Sequence, residues 1–176
     1  MKTLIGGPKL DHLLVLLDIA AKQIGYFVEF GVYHGGTLKI IAEKYPNRLC
    51  YGFDTWEGLP GEAWTEGEPH GIGDFGDCDY EKVKRGMPPN VILKRGVFPD
   101  TAKGIEGPVA FAHVDFDYEV STEAAIRWLR TRMAKGGIVV FDDYKWPHCP
   151  GVETAILKSR IKVRPSTKYQ CYWVNE

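Results

Sequence analysis

The chain has 176 residues, of which 44% are apolar and 26% are charged, and its formal net charge is −1 at pH 7. This length and composition predict one globular domain, residues 1–176, with a single hydrophobic core. The balanced charge and the lack of Lys/Arg-rich runs argue against nucleic acid as a partner.

Residues 1–25 predict a short amphipathic helix instead of a signal peptide. The apolar residues recur at helical spacing, while Asp11, Asp18 and Lys22 interrupt the run. No segment is apolar enough or long enough to cross a membrane, so no membrane partner is expected. The four cysteines are too scattered to frame a zinc site or a redox motif, which favours a reduced, cytoplasmic protein.

Beyond this helix, strand-type apolar runs alternate with helical segments. The predicted strands are "YFVEFG", "LCYGFD", "NVILKRG", "PVAFAHVD" and "GIVVFDD", and a terminal hairpin is predicted in "KVRPSTKYQCYWV". The predicted helices are "GTLKIIAEKY", "YEKVKRGM", "STEAAIRWLRTRM" and "GVETAILKS", the third closed by Gly136 and Gly137 as its C-cap. This alternation predicts an α/β fold, a three-layer αβα sandwich around a mainly parallel sheet.

The turn after the first predicted strand, "EFGVYHGGT", has features of a ligand-binding loop. Gly31 and Gly35 let the backbone approach a ligand, and the next helix begins near Thr37 with free N–H groups for an anion. The strand itself ends at Glu29. His34 lies in the same turn, where a loop role and a catalytic role both stay open.

Asp54 ends the second predicted strand, and an acid in that position can bind the two hydroxyls of a ribose. A cap on the following turn is the alternative reading of Asp54. The glycine spacing differs from the G-x-G-x-x-G pattern of dinucleotide sites. It favours a nucleoside with an amino-acid tail, S-adenosylmethionine, as the cofactor.

Five segments in order resemble the TylF/MycF (macrocin O-methyltransferase) family of class I S-adenosylmethionine-dependent methyltransferases, from about Phe27 to Ala155. They are "FVEFGVYHGGT", "YGFDTWEGLP", "ILKRGVFPDT", "FAHVDFDYEVSTEAAI" and "GGIVVFDDYKWPHCPG". The resemblance implies a seven-stranded Rossmann-like sheet, a bound methyl donor, and a divalent metal, usually Mg²⁺. It also implies methylation of a hydroxyl on a small molecule, often a sugar in a natural product. Self-association into a homo-oligomer is left open.

Carried over to this sequence, the resemblance assigns several cofactor-binding residues. Glu29 and Gly31 would lie along the methionine part, and His34, Gly35 and Thr37 are further candidate cofactor-binding residues of the same turn. Asp54 with its neighbour Thr55 would bind the ribose, and Gly96 with Phe98 would lie beside the adenine. The last cofactor residue is Asp115, which would serve both cofactor and metal.

The resemblance also assigns Asp115, Asp142 and Asp143 as metal ligands. Crowded carboxylates at the ends of neighbouring strands repel one another unless a cation compensates them, and Mg²⁺ prefers oxygen ligands. A metal there would hold two substrate oxygens, lower the pKa of the hydroxyl and aim it at the methyl group. Asp117 matches the second acid of the family's usual "DGD" motif, which is "DFD" in this chain. Whether Asp117 would bind the metal or act as a base stays open.

Some alternatives remain open. Asp142 and Asp143 could cap the following turn, and Asp117 could cap the helix that starts at Ser121. His148, just after the acid pair, is a candidate general base. Two further functions compete: a cofactor-binding protein without catalysis, and a haloacid-dehalogenase-type phosphohydrolase, whose D-x-D motif "VDFDYEV" mimics. The phosphohydrolase reading leaves the first half of the chain unexplained.

Overall fold

The computed structural model describes residues 1–176 and contains seven strands and five α-helices. The strands are β1 (Tyr26–Phe30), β2 (Cys50–Asp54), β3 (Val91–Arg95), β4 (Val109–Val114), β5 (Met133–Asp142), β6 (Val163–Pro165) and β7 (Gln170–Val174). The helices are α1 (Pro8–Ala20), α2 (Gly36–Lys44), α3 (Tyr80–Gly86), α4 (Glu119–Arg130) and α5 (Pro150–Ser159). Two short 3₁₀ turns lie at Gly61–Ala63 and Asp100–Ala102.

All seven strands form one sheet in the order β3-β2-β1-β4-β5-β7-β6. The first five strands of this order are parallel. β7 runs antiparallel to β5, and β6 pairs antiparallel with β7 as the terminal hairpin. The predicted fold, a mostly parallel seven-stranded Rossmann-like sheet between helical layers, is confirmed.

The two central strands, β1 and β4, are buried at every position, as expected for strands covered on both faces. One core cluster joins α1 and α2 to one face of the sheet, with Leu13, Leu17, Leu38 and Ile41 at its centre. The other joins α4 and α5 to the opposite face, with Ile126, Leu129, Val152 and Ile156. None of the helices has both the length and the apolar character that crossing a bilayer requires. The four cysteines are free, buried thiols.

The order of the strands reverses between β1 and β4. From β1 the chain moves outward through β2 to β3, and it then returns to β4 on the other side of β1. Gly31 directly follows β1, and Asp115 directly follows β4. In open α/β sheets, ligands bind beyond the carboxyl ends of the strands at such a reversal. The fold therefore brings the predicted cofactor loop and the first predicted metal ligand to one crevice.

One helix boundary predicted from the sequence is wrong. α4 ends at Arg130 with Thr131 as its C-cap, and Gly136 and Gly137 lie inside β5 instead of closing the helix. The register between β4 and β5 shifts between Val109 and Phe111, which is the irregularity that strand glycines often mark. A Cβ on Gly137 would lie 2.9 Å from the carbonyl oxygen of Ala134, so close backbone packing requires the glycine.

Candidate active site

A cavity lies at the carboxyl ends of β1, β2 and β4. We call it the inner cavity. Six of the predicted cofactor residues line it, namely Gly31, Asp54, Thr55, Gly96, Phe98 and Asp115. Its mixed apolar and polar lining is typical of a small-ligand site.

A second cavity, which we call the N-terminal cavity, lies beside the inner cavity. It is lined by residues 2–5 together with Glu29, Gly31, His34, Gly35, Thr37 and Asp115. Gly31 and Asp115 line both cavities, so the two cavities are neighbours that share these residues. The structure thus brings all ten predicted cofactor residues around two neighbouring cavities.

Gly31, just after β1, lies against the backbone of Asp115, just after β4. Its φ angle is 84°, and a Cβ in its place would lie 1.9 Å from the carbonyl oxygen of Asp115. The Asp115 amide donates a hydrogen bond to the Phe30 carbonyl oxygen at 2.8 Å. No side chain fits at Gly31, so the glycine is needed to bring the two strand ends together.

Asp54 holds the loops on either side of it through its carboxylate. Oδ2 accepts hydrogen bonds from the amides of Val32 and Tyr33 at 2.8 and 2.7 Å. Oδ1 accepts one from the Trp56 amide at 2.8 Å. A carboxylate offers about four lone-pair sites, so Asp54 fixes the glycine turn and keeps acceptor capacity for a ligand hydroxyl.

Glu29 pairs with a histidine beneath the cavities. His113 Nδ1 lies 2.9 Å from Glu29 Oε1, and both residues are buried. Burial raises the pKa of Glu29 above its ordinary value, and the bond from His113 offsets part of this effect. Glu29 Oε2 and His113 Nε2 have no protein partner, which leaves polar capacity beside the site.

The N-terminal segment covers the start of α2. Thr3 Oγ1 lies 2.6 Å from Thr37 Oγ1, and a Cβ on Gly36 would lie 2.1 Å from the Thr3 amide nitrogen. Residues 2–5 therefore cover the start of α2, where the sequence predicts an anion-binding site. Neither a periodic pattern nor a motif in residues 1–7 indicates this contact.

Four carboxylates gather beyond the ends of β4 and β5, and we call Asp115, Asp117, Asp142 and Asp143 the acid cluster. One oxygen each from Asp115, Asp117 and Asp143 lies within 4.8 Å of the others. Asp142 and Asp115 form a similar group with His113. Asp117 and Asp143 have left-handed φ angles of 60° and 57°. Non-glycine residues rarely adopt this conformation, and it is concentrated at functional sites.

The acid cluster carries more negative charge than the protein compensates. Burial, followed by repulsion from Asp142 and Asp143, raises the pKa of Asp115 well above its usual range. Burial and then Asp143 raise the pKa of Asp117 to about 7. The pKa of Asp143 is also raised, first by burial and then by Asp142. Desolvation and mutual repulsion together favour the neutral form of these acids.

One protein cation reaches the cluster, and it comes from α1. Lys9 Nζ lies 2.6 Å from Asp142 Oδ1 and 3.3 Å from Asp143 Oδ1. Burial lowers the pKa of Lys9, but the two carboxylates outweigh burial and hold it above its ordinary value. No motif in the sequence pointed to Lys9, because α1 lies far from the acids along the chain.

The histidine that the sequence favoured as a general base lies apart from the acids. His148 is exposed, and its ring centroid lies 5.4 Å from that of Trp146. The next residue, Cys149, is buried instead, with Sγ 3.4 Å from Asp117 Oδ1. His70, from the loop after β2, has a ring nitrogen within 4.8 Å of ligand atoms of Asp117 and Cys149.

The helix-capping alternative does not match the contacts of Asp117. α4 begins at Glu119 with Tyr118 at the N-cap and without a side-chain cap. The Glu119 amide instead donates to Glu68 Oε1 at 3.0 Å. Asp142 Oδ1 does accept a bond from the Asp143 amide at 3.1 Å, so that acid also holds its own turn.

The acid cluster fits a divalent cation by the chemistry of its donors. Carboxylate oxygens are the ligands that Mg²⁺ and related ions prefer, and the raised pKa values of Asp115 and Asp143 mark charge that lacks compensation. Asp115, Asp142 and Asp143 are the predicted ligands, but the structure groups Asp142 with Asp115 and His113, and Asp143 with Asp115 and Asp117. Whether they hold an ion stays a prediction.

The fold is shared with solved methyltransferase structures. The O-methyltransferase NovP superposes with a TM-score of 0.83 at 23% identity, covering 98% of this chain and 81% of NovP. The calicheamicin methyltransferase CalS11 gives 0.78 at 23% identity, covering 94% of this chain and 78% of CalS11. TomG of Streptomyces achromogenes, an O-methyltransferase solved with S-adenosylmethionine, gives 0.60 at 15% identity, covering 98% and 82%. At these identities the likeness establishes the fold.

No curated protein matches the sequence. A family model described as a methyltransferase domain matches residues 28–144, which is more than half of the chain. The matched range begins in β1 and ends just after the acid cluster, so it contains both the glycine turn and the four acids. The chain therefore belongs to this methyltransferase family.

Proposed function

We propose that the chain is an S-adenosylmethionine-dependent, divalent-metal-dependent O-methyltransferase of the TylF/MycF type, with residues 1–176 as one catalytic domain. The single observation that carries this proposal is the position of Asp115. This residue lines the inner cavity and the N-terminal cavity and also belongs to the acid cluster. A donor in the cavities and an acceptor at the acids would therefore meet at one residue.

The cavities supply the binding groups that an amino-acid nucleoside requires. Asp54 would accept hydrogen bonds from the ribose hydroxyls while it keeps the glycine turn in place. Gly96 and Phe98 form the wall on which an adenine would lie. Glu29, with one unpartnered carboxylate oxygen, faces the side where the amino-acid tail would lie.

Methyl transfer to a hydroxyl forms a carbon–oxygen bond, breaks the carbon–sulfur bond of the donor and releases the hydroxyl proton. Asp117 is the residue we assign to receive this proton, because it lies beside Asp115 and Asp143. His148, the other candidate base, is exposed and packs against Trp146. Asp115, Asp142 and Asp143 would hold the divalent cation. When bound, the cation would orient two acceptor oxygens and lower the pKa of the reacting hydroxyl.

We propose a small hydroxylated molecule, of sugar or natural-product type, as the acceptor. The net charge of −1 supports a small molecule over a nucleic acid, because the chain lacks the basic excess that phosphate backbones require. The structural likeness to a calicheamicin methyltransferase supports the same class.

A methyl-transfer screen tests this function. Purified protein is incubated with methyl-labelled S-adenosylmethionine and a panel of sugars, glycosides and vicinal diols, with Mg²⁺ or with a chelator. We expect label on a hydroxyl oxygen of at least one acceptor, with transfer lost in chelator and restored by Mg²⁺. Label on nitrogen or carbon, or transfer that is insensitive to chelator, would count against the proposal.

A further inference from the structure

The first turn of α1 carries a lysine where helix electrostatics disfavour one. α1 begins at Pro8, so Lys9 lies at the positive end of the helix dipole. The helix is held on the sheet by buried residues such as Leu13 and Leu17, and in this position Lys9 reaches the end of β5. Helix stability does not explain this lysine, whereas its ion pairs with Asp142 and Asp143 do.

Lys9 occupies oxygens that a metal at the acid cluster would need. Its ammonium lies 2.6 Å from Asp142 Oδ1 and 3.3 Å from Asp143 Oδ1. A divalent cation bound to the same oxygens would sit about 2.0–2.1 Å from them if it were Mg²⁺. The two positive centres would then lie close together at a partly buried position, where like charges repel strongly. The ammonium and the cation therefore exclude each other from these oxygens.

The charge balance of the cluster favours exchange of one cation for the other. Four carboxylates gather there, and Lys9 contacts two of them. The single charge of an ammonium leaves Asp115 and Asp117 without a counter-ion, whereas a divalent ion compensates more of the cluster.

We propose that Lys9 and a divalent cation are alternative occupants of the Asp142 and Asp143 carboxylates. Lys9 thus acts as a built-in competitor that lowers metal affinity, and metal binding releases the Lys9 side chain. This inference rests on the metal site of the proposed function.

Calorimetric titration of the donor-free, chelator-treated protein with Mn²⁺ tests the competition without any assay of activity. Lys9→Met removes the ammonium and keeps an unbranched side chain of similar length. We expect Lys9→Met to bind Mn²⁺ about tenfold more tightly than the wild type, a coupling within the range measured for close charge pairs. Lys22→Met is the matched control, because Lys22 is exposed and just beyond the end of α1. Its Mn²⁺ affinity should equal that of the wild type.

Chemical labelling of the wild type gives a second readout that needs no variant. The rate of Lys9 acetylation by an N-hydroxysuccinimide ester is followed by mass spectrometry, with Lys22 as the internal reference. Mn²⁺ should raise the Lys9 rate several-fold and leave the Lys22 rate unchanged. A Lys9 rate that does not rise with Mn²⁺ would contradict the proposal.

The calorimetric outcomes separate this inference from the proposed function. Equal or weaker Mn²⁺ binding in Lys9→Met overturns the competition while the metal site itself stands. If neither protein binds Mn²⁺, the competition and the metal dependence both fail. Titration of the same samples with S-adenosylmethionine then still reports on the methyltransferase function.

Discussion

Asp54 and Asp115 lie at the carboxyl ends of two strands, at the same edge of one sheet, but the groups around their carboxylates differ. The carboxylate of Asp54 accepts three backbone hydrogen bonds, from Val32, Tyr33 and Trp56. Asp115 instead faces three other acids, and their repulsion adds to burial in raising its pKa. The carboxylate that ends β2 is thus satisfied by backbone amides, whereas the carboxylates beyond β4 and β5 mainly face one another.

The half of the crevice beside β1 and β2 and the half beside β4 and β5 are expected to have different roles. A carboxylate satisfied by the backbone fixes a loop and stabilises the fold, because each charge-assisted bond favours the folded state. A cluster of uncompensated acids costs stability and is retained where a cation or a substrate compensates it. We therefore expect the two halves to respond oppositely to the same kind of substitution.

The largest effect is expected in catalysis, from Asp115→Asn. The substitution removes the charge shared by the cavities and the acid cluster, so methyl transfer should fall by about a hundredfold or more. Asp100→Asn is the control, since Asp100 is exposed and pairs with Lys103 at the surface. Initial rates with a labelled donor measure both. Wild-type activity in Asp115→Asn would remove the acid cluster from the chemistry.

The next largest effect is expected at the junction of the two halves, from Gly31→Ala. The added Cβ would collide with the Asp115 carbonyl, and the free energy of unfolding should fall by about 3 kcal/mol or more. Gly67 is a matched control: its φ angle is 99°, and a Cβ there would meet nothing within 4 Å. Gly67→Ala should cost only about 1 kcal/mol, from backbone conformation alone. Equal losses in urea denaturation would show that the strand contact is unimportant.

Asn substitutions at the two compared acids should change stability in opposite directions. Asp54→Asn loses acceptors for backbone amides and should destabilise the chelated protein by about 1–3 kcal/mol. Asp115→Asn relieves repulsion and should raise the melting temperature of the chelated protein at alkaline pH. Thermal unfolding of both variants beside the wild type measures the signs. Destabilisation by both would mean that the acid cluster is not strained.

The smallest effect is a pH dependence that belongs to the β4–β5 half. Burial raises the pKa of Asp117 to about 7 from an ordinary value of 3.8. Its contribution to stability is therefore fully present below the unfolded value and is lost as pH rises through about 7. In chelator, the melting temperature of the wild type relative to Asp117→Asn should fall between about pH 4 and about pH 7 and then level off. A pH-independent difference would contradict the raised pKa.

Much of the fold could be predicted from the sequence because its signals are local. Apolar runs and turn residues identified every strand and every α-helix, and the ten predicted cofactor residues lie around two neighbouring cavities. The exception at Gly136 and Gly137 arose because two glycines after a helical pattern read as a cap. These glycines belong instead to the irregular pairing of β4 with β5. Local sequence patterns do not reveal such a pairing, because its partners are distant along the chain.

The contacts that the sequence did not reveal are those between remote parts of the chain. Lys9 in α1 meets Asp142 at the end of β5, and Thr3 meets Thr37 through the packing of α1 and α2 on the sheet. His148 and Cys149 are neighbours in sequence, yet their side chains point to solvent and to the acids respectively. Which of two adjacent residues enters the site depends on the backbone path after β5, and residue types do not specify that path.

If one crevice holds a methyl donor beside β1 and β2 and a cation beside β4 and β5, the two ligands should bind together. Calorimetric titration of the wild type and Asp115→Asn with S-adenosylmethionine, before and after loading with Mn²⁺, measures this. We expect saturable donor binding by the wild type and a Mn²⁺ response that disappears in Asp115→Asn. Absence of donor binding at millimolar concentrations in the folded wild type would contradict the proposed division of the crevice.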